Sequence, residues 1–352
     1  LKLAFLTSTP LDIVRGSGTF SGISTLARAL REMGCEVSFF TPGLRLPVYT
    51  LERLWFNEQL RRRDFSGFDA IVGFDMDGYR LRAGRPHVAS IKGVIADEMR
   101  FERGLTRRTM AVQAACERVH VRRAGLVMTT SRYAARRIQD LYGLAEAPRV
   151  VPEPIDLSAW RELIARNPAA PDPGRFTVLT VCRFYPRKRL DMLLEAAARL
   201  RGRVPELELR IVGGGPEAPR LHRIAREAGL GAVVNWLGDV SQDDLAREYQ
   251  RCDVFCLPSV QEGFGIVFLE AMAAGKPIVA ARAAAVPEVV EQGLLTEPGD
   301  AGALAAGLLQ LRDDRGMRRS LAEAGFRIVR QYDAPLVTRL FLDSLGGRLY
   351  PA

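Results

Sequence analysis

Between Glu262 and Glu270 the chain reads Glu-Gly-Phe-Gly-Ile-Val-Phe-Leu-Glu, two carboxylates bracketing a glycine loop. Gly263 and Gly265 bare backbone N–H groups where a helix would begin, and a helix N-terminus favours phosphate. The glutamates do the opposite: they accept hydrogen bonds and so suit hydroxyls. Amide donors, nearby cations and carboxylate acceptors together fit a ligand that is part diphosphate and part polyol. A nucleotide sugar is such a molecule. As a bare pair, the two residues also read as a solvated Glu262 and a Glu270 salt-bridged on a helix face.

The flanking residues supply the elements that must hold this loop. Residues 254–259 form an apolar run of strand length, and the helix after the loop is stopped by Gly275 and Pro277. Residues 278–281 read as the next strand. The same alternation opens the chain: a strand at 3–8, a glycine-rich segment at 15–22, a helix over 23–33 and a strand at 36–41. Further strands are expected at 70–74, 88–91, 126–130, 176–182, 207–212 and 233–237, and helices at 51–63, 105–124 and 190–200. This is an α/β pattern of parallel sheets covered by helices on both faces. Gly16-x-Gly18-x3-Gly22 misses the dinucleotide spacing, and no acidic residue ends the second strand, which argues against bound NAD.

The stretch around the glutamates resembles the Glu-x7-Glu motif of the retaining family 4 glycosyltransferases. The match runs through Glu262-Gly263-Phe264-Gly265, Leu269-Glu270-Ala271-Met272-Ala273 and Gly275-Lys276-Pro277. The resemblance implies the GT-B fold, two Rossmann-like doubly wound domains facing across a cleft. It implies that Glu262 meets the donor sugar and Glu270 the ribose, with the amides of the loop from Gly263 to Ile266, Phe264 included, facing sugar and phosphate. Arg183 and Lys188, after the strand at 176–182, match the family's Arg-x4-Lys grip on the donor diphosphate. Gly238-Asp239-Val240 resembles the base-binding turn, and Gly16 and Gly18 lie where a glycine-rich loop lets the backbone approach phosphate.

Two departures stand out. Lys92-Gly93 replaces the His-Gly that commonly ends the family's fourth strand, and Glu153-Pro154 replaces Asn-Gly in a later turn. A strand-end Lys92 is suited to a phosphate or an acceptor carboxylate, and Asp97 and Glu98 to acceptor hydroxyls if their loop is not merely exposed. The proline-rich stretch 167–174 reads as the linker. It gives an acceptor-binding domain at 1–168 and a nucleotide-sugar-binding domain at 169–334, with a final helix in 335–352 crossing back to the first.

The composition bounds the rest. At 352 residues, 47% hydrophobic and 26% charged, the chain has the make-up of a soluble globular protein of two domains. No apolar run reaches membrane-spanning length. Five scattered cysteines read as reduced thiols of a cytoplasmic protein, with no metal site and no disulfide framework. Of the net charge of +9, most falls in the first 160 residues, with 24 basic against 17 acidic side chains. That half could face an acidic substrate or an anionic membrane, and the segment Leu51 to Arg63, with Trp55 and Arg61-Arg62-Arg63, could touch a membrane surface. No nucleic-acid-binding signature accompanies the charge.

These residues describe a metal- and cofactor-independent hexosyltransferase. It would move a sugar from a nucleoside diphosphate sugar, UDP favoured, to an acceptor hydroxyl on a small molecule, glycan or lipid-linked carrier. Rival readings are a sugar-nucleotide epimerase or a phosphorylase on a similar fold, and a non-catalytic nucleotide-sugar binder.

Overall fold

The computed structural model describes residues 1–10, 13–44, 46–82 and 87–349, and of 13–17 and 347–349 the backbone alone. The chain divides into two compact units: Leu1–Pro154 with Ala334–Ala352, and Ile155–Asp333.

In the first unit the elements run β1 (Lys2–Leu6), α1 (Ile13–Glu32), β2 (Glu36–Phe40), α2 (Tyr49–Arg62), β3 (Ala70–Phe74), β4 (His87–Ile91), α3 (Ile95–Glu98), α4 (Gly104–Arg123), β5 (Leu126–Thr129), α5 (Arg132–Tyr142) and β6 (Arg149–Val150). The sheet order is β2-β1-β3-β4-β5-β6, and every pairing is parallel. β3 and β4 are buried along their whole length, as strands covered on both faces must be.

The second unit runs α6 (Leu157–Arg166), β7 (Phe176–Val181), α7 (Leu190–Leu200), β8 (Leu207–Val212), α8 (Ala218–Glu227), β9 (Val234–Gly238), α9 (Gln242–Arg251), β10 (Val254–Leu257), α10 (Ile266–Ala273), β11 (Ile278–Ala281), α11 (Val286–Val289), β12 (Leu294–Thr296), α12 (Ala301–Asp313) and α13 (Arg315–Ile328). Its sheet is also parallel, in the order β12-β11-β10-β7-β8-β9. Strand order therefore reverses between β7 and β10, the position where open α/β sheets bind ligands beyond the strands' carboxyl ends. The last helix, α14 (Ala334–Leu349), belongs to the first unit. Its Val337, Phe341 and Leu345 are buried in the cluster that holds Leu3 and Phe5.

Two expectations are corrected here. The units part at Pro154 and Ile155, not at the proline-rich stretch, because α6 is committed to the second unit. Leu157 lies in that unit's core, and Asn167 bonds to Asp243, Arg247 and Gln250 of α9. The glycine segment at the start is no loop: α1 begins at Ile13 and takes in Gly16, Gly18 and Gly22. A glycine inside a helix costs about 1 kcal/mol relative to alanine. Gly22 has a packing reason, since a Cβ there would lie 2.0 Å from Oε2 of Glu153.

Candidate active site

The switch point of the second sheet gathers the motif residues. β7 and β10 pair directly, Val178 with Val254 and Leu179 with Phe255. The loop after β7 runs through Arg183 into a tight 3-10 turn at Pro186–Lys188, with Arg189 left-handed at φ 50° before α7. The loop after β10 is tied to it, because Val260 N–H donates to the Arg187 carbonyl at 2.9 Å. Across this junction Lys188 Nζ lies 2.6 Å from Glu262 Oε1, with side chains only 13% and 8% exposed. Beside the pair, Ser259 Oγ and Gln261 Oε1 are buried and have no hydrogen-bond partner among the described residues, leaving polar capacity unspent in this loop.

Arg183 is held at the neighbouring strand end. Its Nη1 lies 3.0 Å from Asp239 Oδ1, in a pair 32% and 41% exposed. The approach depends on Gly213 and Gly215 after β8. A Cβ on Gly213 would lie 2.1 Å from the Cys182 carbonyl oxygen, and one on Gly215 would lie 2.7 Å from the Phe184 nitrogen. With no side chain there, Phe184 N–H reaches the Gly214 carbonyl at 2.9 Å and Gly213 N–H the Gly238 carbonyl at 2.7 Å. The turn Gly238-Asp239-Val240 is thereby drawn alongside Arg183.

α10 starts at Ile266 with Gly265 at its N-cap. Its first N–H groups have no partner within the helix and point out of its N-terminus. Phe264 contributes backbone only: its ring is buried and packs edge-on to Tyr332, 5.4 Å between centroids. Ile266 is buried as well. Glu270 falls in the second turn, where Tyr249 of α9 donates its hydroxyl to Glu270 Oε2 at 2.8 Å. Burial pushes the Glu270 carboxyl up to about 7, and the Tyr249 hydrogen bond works against that rise by favouring the ionised form. A half-buried carboxylate with one oxygen oriented by a buried tyrosine is suited to accept hydroxyls from a ligand through the other.

The first-unit candidates behave differently. Lys92 does not offer its charge to a ligand: Nζ lies 3.0 Å from Glu153 Oε2, with both side chains less than a tenth exposed. The two departures from the family pattern are thus each other's partners, and Gly22 leaves room for them. Asp97, expected either to meet acceptor hydroxyls or to stand on an exposed loop, is fully buried. It accepts from the Tyr133 hydroxyl at 2.6 Å and pairs with Arg100 and Arg137 at 3.0 Å. Glu98 is half-buried, with Oε1 beside Gly93. Gly18 is within the body of α1 and Gly16 within its first turn.

Sequence reasoning missed the pairing of Asp239 with Arg183, and Tyr249 altogether. Asp239 lies within a turn already singled out, but its contact with Arg183 spans 56 residues of sequence and exists only in the folded sheet. Tyr249 had no local signal, because its contact with Glu270 exists only once α9 lies beside α10.

Residues 163–327 match the family model described as glycosyl transferases group 1. Residues 16–159 match the model described as glycosyltransferase family 4. Among curated proteins, the GDP-mannose-dependent alpha-(1-6)-phosphatidylinositol monomannoside mannosyltransferase of Mycolicibacterium smegmatis is 31% identical over 225 residues, 57% of this chain and 56% of that protein. The match thus spans little more than half the length of that relative. Two solved structures share the fold across nearly the whole of both chains. Sucrose-phosphate synthase of Thermosynechococcus elongatus has a TM-score of 0.82 at 22% identity, covering 99% of each chain. Anabaena Alr3699/HepE, in complex with UDP and glucose, has a TM-score of 0.73 at 22% identity, covering 98% of this chain and 99% of its own.

Proposed function

The chain belongs to the family 4 glycosyltransferases with the GT-B fold, and we propose that it moves a sugar from a nucleoside diphosphate sugar to an acceptor hydroxyl with retention of configuration. The observation that carries this reading is the Lys188–Glu262 pair at the switch point. A diphosphate-binding cation and a sugar-binding carboxylate satisfy each other when no donor is bound. Donor entry exchanges that one contact for two, diphosphate on Lys188 and a sugar hydroxyl on Glu262. Arg183 and the N–H groups at the start of α10 complete the cradle for the diphosphate. Charge that develops on the leaving group then meets preorganised donors, the arrangement that lowers a barrier most. Glu270, oriented by Tyr249, takes the ribose hydroxyls, and Gly238 and Val240 border the base.

Attack comes from the face that the diphosphate leaves, and the departing phosphate takes the acceptor's proton, so no side chain is assigned as nucleophile. Arg183 and Lys188 supply the positive charge that a divalent ion would otherwise bring. The acceptor is a hydroxyl on a small molecule, a glycan or a lipid-linked carrier, and the site of action is the cytoplasm, in keeping with five free cysteines.

UDP is the proposed nucleotide, and GDP the rival that the mycolicibacterial relative's name brings in. A melting-temperature screen of UDP-, GDP- and ADP-sugars decides the base, since a ligand that binds only the folded state raises the midpoint. The screen is then repeated as a transfer assay with excess EDTA. Undiminished transfer is expected. Full loss under EDTA, restored by manganese or magnesium, would overturn the metal-independent reading.

A further inference from the structure

The outward faces of α2 and α4 carry an exposed surface that the transferase chemistry does not use. On α4, Leu105, Val112 and Val119 recur every seven residues and stand in solvent, Leu105 at 76% exposure. A seven-residue step returns to nearly the same side of a helix, so the three form one apolar edge. The helix's other outward positions include Arg108, Arg118 and Arg122, also exposed. α2 lies alongside, joined through Gln113, whose side chain bonds to Thr50 and Arg53. Gln113 itself is buried, about a quarter turn or more round α4 from the apolar edge, so the junction with α2 lies beneath the outward face. On α2, Leu51 and Trp55 are half exposed, Trp55 at 52%, and Arg62 continues their line two turns on.

The charge on this face has one sign. α2 and α4 contain three carboxylates: Glu52 and Glu117 are buried, and Glu58 is shared by Arg80, Arg61 and Arg62. On α4 the exposed Arg108 and Arg118 therefore face outward with no exposed carboxylate on their helix. The apolar residues do not form a helix-pairing seam, because the positions that would complete a heptad are Arg108, Ala115 and Arg122. Scattered large apolar side chains and a tryptophan among basic residues suit the headgroup region of an anionic bilayer. No helix among the described residues is long and apolar enough to cross a membrane, so the contact is with the surface.

We propose that the outward face of α2 and α4 docks the protein on anionic membrane surfaces, with Leu105, Val112 and Trp55 entering the interface and arginines meeting the headgroups. The proposal is independent of what the second unit transfers.

The test is co-sedimentation of the full chain with vesicles of phosphatidylcholine alone or mixed with phosphatidylglycerol, with tryptophan emission recorded in parallel. Binding is expected only to the mixed vesicles, with a blue shift in emission and several-fold release at high salt. Leu105→Glu with Val112→Glu should abolish binding, and Arg108→Glu with Arg118→Glu should weaken it several-fold. All four positions are exposed, and an unchanged melting temperature shows that the fold is kept. Equal binding to both vesicle types, no binding to either, or undiminished binding of the Leu105→Glu, Val112→Glu variant would overturn the proposal. So would a dimer in light scattering without vesicles that Leu105→Glu dissolves, which would assign the face to a second copy of the chain.

Discussion

The two sheets end their central strands in opposite ways. In the first unit the charges beyond β3 and β4 are spent on the structure. Asp77 is fully buried, accepts from the Ser8 N–H and hydroxyl at 2.6 Å and from Asn57 at 2.9 Å, and stands 3.5 Å from Arg53. Burial works against the Arg53 charge, yet the Asp77 carboxylate holds its pKa above the ordinary value. Asp75, left-handed at φ 53°, accepts from the Lys92 N–H, and its carbonyl accepts from His120 Nδ1 at 2.6 Å. Burial pushes Asp75 up to about 6 and His120 down to about 3. In the second unit the charges at the switch point are joined one to one: Lys188 to Glu262, Arg183 to Asp239, and Glu270 to Tyr249. A carboxylate held by several bonds cannot be exchanged for a ligand without unfolding its surroundings. A single pair can trade its partner for a phosphate or a hydroxyl at little cost.

The contrast breaks most readily at Asp77. Asp77→Ala leaves Arg53 buried without its carboxylate and should cost about 3–5 kcal/mol of stability, read by urea unfolding. A loss under about 1 kcal/mol would mean that the first unit's network is as loose as the second unit's pairs. Next is Gly22→Ala, whose new methyl must displace Glu153 from Lys92. It should destabilise by roughly 1–3 kcal/mol, and in a Glu153→Ala background, where the clash is gone, the same substitution should cost little beyond the loss that Glu153→Ala causes alone. A single variant as stable as the wild type would show that the buried pair has slack.

The second unit sharpens the comparison with smaller stability effects and larger functional ones. Glu262→Gln should lower sugar transfer while leaving the affinity for free nucleoside diphosphate unchanged or higher, because Lys188 is released from its partner. Loss of that affinity would reverse the assignment. Tyr249→Phe should weaken nucleotide binding by about 1 kcal/mol and move its pH dependence. Glu270 keeps its proton up to about 7. In the ligand-free protein it therefore favours folding fully below its ordinary range and loses that contribution as pH rises through about 7. Ribose hydroxyls favour the ionised form, so nucleotide affinity should rise with pH through the same window. Removing the tyrosine hydroxyl should shift the midpoint upward. A midpoint that stays in place would show that Tyr249 packs without orienting the carboxylate.

What the sequence disclosed follows from what is local. Alternating apolar runs and helical spacing gave two parallel sheets, and the loop from Glu262 to Gly265 announced a helix N-terminus at a strand end. Arg183 and Lys188 were legible because they follow a buried strand at the switch point. Glycines misled at the start of the chain, where Gly22 answers to Glu153, more than a hundred residues away, and not to a turn. Asp97 read as open to acceptor hydroxyls because the partners that occupy its carboxylate, Tyr133 and Arg137, lie on a later helix. Lys92 and Glu153 each read as an isolated departure, and only the fold shows that one explains the other. The outward face of α4 was equally hidden, since a helix pattern does not say which side another layer covers.

The central claim is that Lys188 exchanges Glu262 for a diphosphate, and calorimetric titration tests it most directly. UDP, and GDP if the screen selects it, is titrated into the wild type and into Lys188→Gln, whose amide can still bond to Glu262 and so protects the fold. Losing a charge-assisted contact should cost about 1.5–3 kcal/mol, which is roughly a tenfold or greater rise in Kd, at an unchanged melting temperature of the ligand-free protein. Equal affinity in the two proteins would contradict the exchange and leave the Lys188–Glu262 pair as a structural bond.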